Sequence, residues 1–80
     1  MSRAQAVVEV IARALASRPD EVEVLESERR GQAVVELTMA PGDLGRVIGR
    51  QGRTATALRT LAGLAGELDG KKTIVDFRDE

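Results

Sequence analysis

The residues best suited to chemistry lie together in one run, Gly45-Arg46-Val47-Ile48-Gly49-Arg50-Gln51-Gly52-Arg53-Thr54. A guanidinium group presents a planar fork of donors that matches phosphate oxygens. Glycine carries no Cβ, so a ligand backbone can approach its peptide closely. Gly49 and Gly52 stand three apart between two apolar stretches, which suits a tight turn joining two helices. The free amides that open the second helix would then point toward that turn, with the positive end of the helix dipole behind them. The chemistry this arrangement offers is capture of a phosphate backbone, not the making or breaking of a bond.

Little else in the chain could do covalent chemistry. There is no Cys and no His among the 80 residues, which removes thiolate zinc sites, Cys nucleophiles and His-dependent proton transfer. Glu36, Asp43 and Asp76 supply carboxylates, but no spacing pairs them with each other or with a nucleophile. Gly45-x-x-x-Gly49-x-x-Gly52 is too widely spaced for a dinucleotide fingerprint, and the Gly-Lys-Ser/Thr of a P-loop is missing. A non-catalytic protein without metal or cofactor is expected.

The totals look unpromising for a nucleic-acid binder, with 12 basic and 13 acidic residues and a single aromatic, Phe77. They conceal segregation. Between Pro41 and Ala62 four arginines face one aspartate, whereas Met1 to Ala40 holds five cations and seven anions. Attraction for a polyanion is therefore focused on the glycine-arginine stretch, and binding has to work without a row of stacking rings. No long apolar run or cleavage site suggests a membrane span or signal peptide, so a soluble cytoplasmic location is expected.

The elements that must position this stretch follow from periodicity. Ala4, Val7, Ile11 and Ala14 recur at helical spacing and predict an amphipathic helix from Arg3 to Ala16, ended by Pro19. Val22 and Val24 alternate with Glu21 and Glu23 in a strand over 21–28. Glu28-Arg29-Arg30-Gly31-Gln32 then makes a charged connection to a second strand, 33–39, with Val35, Leu37 and Met39 on its core face. Asp43 is placed to cap a short helix containing Val47 and Ile48. Ala55, Leu58, Ala62 and Ala65 mark a longer helix from Arg53 to near Gly66, with Leu61 and Leu58 read as core. Lys71 to Arg78 reads as a third strand with Val75 and Phe77 on one face, and Asp79 and Glu80 as a frayed end. The order α-β-β-α-α-β predicts a two-layer α+β fold, three helices covering one face of a three-stranded sheet.

Val47-Ile48-Gly49-Arg50-Gln51-Gly52-Arg53-Thr54 resembles the I-G-x-x-G signature of KH domains, and the element order is similar to that of their type II form. With Pro41-Gly42-Asp43-Leu44-Gly45-Arg46 before it and Lys71-Lys72-Thr73-Ile74-Val75-Asp76-Phe77 after it, the whole chain, 1–80, resembles one KH domain of the small bacterial KhpA family. The resemblance implies a groove for about four nucleotides of single-stranded RNA. In it Gly49 and Gly52 are hinge glycines, Arg50 and Gln51 the variable pair, and Arg46 and Arg53 flanking phosphate contacts. Val47 and Ile48 line the groove or anchor the helix, and Thr54 closes the motif. It further implies an RNA chaperone or post-transcriptional regulator linked to cell elongation and envelope homeostasis, acting as a homodimer or with a larger KhpB-like KH protein. The alternative is a protein-interaction module with weak or no RNA binding, docking through exposed Leu64 or Leu68. Arg59 reads as a solvated helix residue.

Overall fold

A computed structural model describes residues 1–78. Helix α1 (Arg3–Leu15) starts at Ser2, whose hydroxyl oxygen accepts from the Gln5 amide at 3.0 Å while its proton goes to Glu26. Serine is among the favoured residues at such a cap, because its oxygen satisfies one of the free amides of the first turn. Ala4, Val8 and Ala12, four residues apart, bury one face of the helix. Pro19 ends the helical run as expected but opens a 3-10 turn, Pro19–Glu21, so strand β1 begins at Glu23 and not at Glu21.

Strands β1 (Glu23–Arg29) and β2 (Gln32–Thr38) form a two-residue hairpin in which Arg30 and Gly31 both have positive φ, 52° and 79°. Such a turn matches the twist of the flanking strands. β2 is central. It pairs antiparallel with β1 through Val24 and Leu37, and parallel with β3 (Thr73–Arg78) through Val35 and Val75 and through Leu37 and Phe77. Val24, Val35, Leu37 and Val75 therefore project to one face, where they meet Ala4, Val8 and Ala12 of α1, Val47 of helix α2 (Leu44–Ile48), and Leu58, Ala62 and Ala65 of helix α3 (Arg53–Leu68). Alanines at these contacts let the helices lie close to the sheet. The expected α+β order and one-sided coverage are observed.

Several local expectations need correction. Helix α3 runs two residues past Gly66, and β3 starts at Thr73, because Asp69 stops the helix and binds the opposite end of α1: the Arg3 amide donates to Asp69 Oδ2 at 2.9 Å and its guanidinium to Oδ1 at 2.6 Å. Leu61 is not core. It is 49% exposed, while Val7 and Ile11 are only half-buried. Val34 does project to the face away from the helices, yet it is 4% exposed. Its neighbours across the register are Ser27 and Ile74, and Arg29, Arg30, Gln32 and Asp76 stand around it. Charge knits the same face together, since Glu36 of β2 receives Arg78 of β3 at 2.6 Å and Arg29 of β1 at 3.6 Å. Asp79 and Glu80, expected to fray, lie outside the described residues. No helix among the described residues is long and apolar enough to cross a membrane.

Candidate nucleic-acid interface

The glycine-arginine stretch spans the end of α2, a turn, and the start of α3. Ile48 closes α2. Gly49 then adopts φ 74°, ψ 174°, a conformation open essentially to glycine alone. Arg50–Gly52 makes one 3-10 turn in which Gln51 and Gly52 are both left-handed, with φ 57° and 71°. The Gly52 amide donates to Gly49 O at 3.2 Å and closes the turn.

The two glycines have different reasons to be glycine. A Cβ on Gly49 would lie 2.4 Å from Thr54 Oγ1 and 2.8 Å from Thr54 Cβ, so the loop packs tightly onto the first turn of α3. A Cβ on Gly52 would meet nothing within 4 Å among the described residues. The open side of the loop, where a ligand backbone can approach, is therefore at Gly52. Thr54 buttresses the loop from beneath, a role that its place in the motif did not reveal.

The flanking side chains divide as follows. Val47 is completely buried and belongs to the core, whereas Ile48 is half-buried, so only Ile48 is left to line a groove. Arg46, Arg50, Gln51 and Arg53 are exposed. Arg53 donates to Gln51 Oε1 at 2.9 Å, which holds two of the loop's polar heads together. Arg46 Nε lies 3.6 Å from Asp43 Oδ1, and the Arg46 side chain is exposed. Arg59, read from sequence as solvated, lies over the ring of Phe77, 4.7 Å from its centroid.

The sequence pattern predicts that Asp43 caps α2 with its side chain. Asp43 does sit at the cap position, but in a helical backbone conformation and with no side-chain capping bond among the described residues. Its carboxylate turns inward, is 3% exposed, and accepts from the Ser17 hydroxyl at 2.5 Å and from the Ser17 and Arg18 amides at 3.1 Å each. The Ser17 hydroxyl first, and then the two amides, hold this carboxyl below its ordinary range against the opposing effect of desolvation. Asp43 thus clasps the chain after α1 to the start of α2. Nothing in the local sequence signals this, because the partners lie about 25 residues apart.

Comparison with known proteins bears on the same stretch. Residues 5–77 match the profile of the KhpA/KhpB KH domain. The chain belongs to that family. Among its relatives, the RNA-binding protein KhpA of Caldanaerobacter subterraneus is 46% identical over 71 residues, 89% of this chain and 95% of that one. The Aquifex aeolicus KhpA is 41% identical over 77 residues, 96% and 98% of the two chains. The KhpA of Mycobacterium tuberculosis reaches 56% over 61 residues, 74% and 75%. Among solved structures, Era in complex with MgGDPNP and nucleotides 1506–1542 of 16S ribosomal RNA superposes with a TM-score of 0.64 at 19% identity, over 95% of this chain and 29% of Era. That likeness establishes the KH-type fold. KH membership also agrees with the non-catalytic expectation, since the family is a binding domain.

Proposed function

We propose that this KhpA/KhpB-family chain, acting as a single KH domain, binds single-stranded RNA with the α2–turn–α3 stretch. The observation that carries the reading is the Gly49–Gly52 turn itself: a positive-φ backbone, bare at Gly52, framed by the exposed guanidinium groups of Arg46, Arg50 and Arg53. The phosphodiester backbone lies against Gly52, with Arg50 and Arg53 on its charges and Ile48 beside the bases. Relatives at 41% to 56% identity named RNA-binding protein KhpA support it. The cellular role that follows by family resemblance is that of a cytoplasmic RNA chaperone or post-transcriptional regulator tied to cell elongation and envelope homeostasis.

The test is a titration of labelled single-stranded RNA into the wild type and into Arg50→Asp/Gln51→Asp, with circular dichroism as the check on folding. The variant loses affinity if the turn is the site, and equal affinity would move the site elsewhere. Salt sharpens the test. Removing one arginine–phosphate pairing lowers the slope of log affinity against log salt by about 0.7 for a single strand.

A second reading, self-association or pairing with a KhpB-like KH protein, is favoured by a separate observation. Leu61, Leu64 and Leu68 of α3 are all about half exposed or more, and Val10 of α1 is 68% exposed. Large apolar side chains exposed at helical spacing along α3 mark a docking surface. A dimer formed through it would present two RNA grooves and gain by effective concentration.

A further inference from the structure

Helix α3 carries a second feature that the glycine turn does not explain. Phe77 is the chain's single aromatic residue. Its inner side packs against the hydrophobic core, and the Arg59 guanidinium lies over its ring, 4.7 Å from the centroid. Arg59 is itself exposed. The result is a layered stack: core, ring, guanidinium, and then solvent. A guanidinium held over a ring keeps its own outer surface available, and Arg planes, like aromatic rings, are surfaces on which unpaired bases stack.

The stack lies where a strand leaving the turn would arrive. Gly66 packs so closely on Thr73 that a Cβ there would lie 2.0 Å from the Thr73 hydroxyl, which identifies its face of α3 as the one turned toward β3. Counting back at helical spacing, Arg59 and Ala55 share that face with Gly66, and Gly52 lies at its upper end. Gly52 and Arg59 are seven residues apart, about 10 Å along the axis. Phe77 reaches the same place from β3, where it pairs with Leu37 and its ring lies under Arg59.

We propose that Arg59 and Phe77 form a base-stacking subsite, in which one nucleobase of the RNA held at Gly49–Gly52 lies on the Arg59 guanidinium. The inference rests on the RNA-binding reading above. It gives a chain almost devoid of aromatics one stacking platform, and it assigns Arg59 to a base and not to a phosphate.

The experiment compares two single-stranded probes of equal length and charge, an RNA octamer and its abasic ribose-phosphate counterpart, against the wild type, Arg59→Lys and Phe77→Leu. Arg59→Lys keeps the charge and removes the plane. It should weaken RNA binding about fivefold or more, leave the salt slope unchanged, and change abasic binding by less than about twofold. Phe77→Leu should reproduce the pattern, with its fold checked by thermal melting. Ring-labelled phenylalanine gives a second readout by NMR, since its signals come from Phe77 alone; they should be perturbed by RNA and stay in place with the abasic probe. Wild-type affinity in Arg59→Lys, or an equal loss on both probes, overturns the subsite while leaving RNA binding at the turn intact. No binding of either probe by the wild type overturns both.

Discussion

Gly49→Ala and Gly52→Ala make a sharp test of the loop geometry, because composition and motif treat the two positions alike and the structure does not. Both residues have positive φ. At Gly52 the backbone is left-handed, which costs alanine about 1–2 kcal/mol, and the smaller entropy of the unfolded alanine chain offsets this by about 0.4–1. The space is open, so the net loss should be about 1 kcal/mol. At Gly49 the backbone lies in a region nearly closed to alanine, costing about 1–3 kcal/mol before any clash is added. The new methyl would also lie 2.4 Å from Thr54 Oγ1 and 2.8 Å from Thr54 Cβ. Rotating the threonine relieves the first clash but not the second, because Cβ is fixed to the backbone of α3. Pushing the helix start away adds about 1–3 kcal/mol, as in an overpacked core. Gly49→Ala should therefore cost about 3–4 kcal/mol, a large share of the roughly 4–12 kcal/mol that a chain of this size has in total. Urea unfolding followed by circular dichroism measures both. Thr54→Gly in the Gly49→Ala background should recover part of the loss. Equal costs at the two glycines, or no rescue, would refute the packing argument.

Other parts of the molecule give three further outcomes. Asp43 has its carboxyl held below the ordinary range, chiefly by the Ser17 hydroxyl, so its stabilisation is complete above the unfolded value of about 4 and fades as pH falls through the lowered folded value; Asp43→Asn should flatten that part of the acid-unfolding curve in urea midpoints taken from neutral to low pH. Thr73 Oγ1 is buried with no hydrogen-bond partner among the described residues, so Thr73→Val, equal in shape and better suited to a strand, should raise stability by about 1 kcal/mol and the melting temperature by about 4–8 °C. Leu61→Glu/Leu64→Glu should leave the fold intact, since both side chains are about half exposed, and should shift sedimentation toward the monomer; an unchanged sedimentation profile would remove α3 from any interface.

How much of this was legible in the sequence depended on whether the deciding interaction was local. The turn at Gly49 and Gly52 and its arginines can be read directly, because glycine and arginine announce conformation and charge by type. Asp43 cannot, since a capping position is a local property while the clasp to Ser17 exists only once α1 and α2 are packed together. Leu61 misleads for a different reason. Helix α3 carries two overlapping apolar stripes, Leu58-Ala62-Ala65 and Leu61-Leu64-Leu68, and periodicity alone does not say which one the sheet covers. Alternation puts Val34 on its correct face, yet its burial comes from being in the middle strand between charged neighbours. Arg59 is exposed, as its sequence suggests, but its contact with Phe77 is not legible, because the parallel pairing that places Phe77 joins residues far apart in the chain.

The short helix α2 has a consequence of its own. Five residues are too few to hold a helix in water, so α2 persists only because Val47 is sunk in the core at one end and Asp43 is fastened at the other. The glycine turn hangs from this element, and its opening free energy is set by those two anchors. Amide exchange should find α2 and the turn opening together, well before the sheet. Any ligand of the turn then meets a population, part competent and part open, and its apparent affinity scales with the competent fraction. A change at Ser17, which touches no ligand, would weaken binding by thinning that fraction, so affinity here is governed in part from the far end of α1.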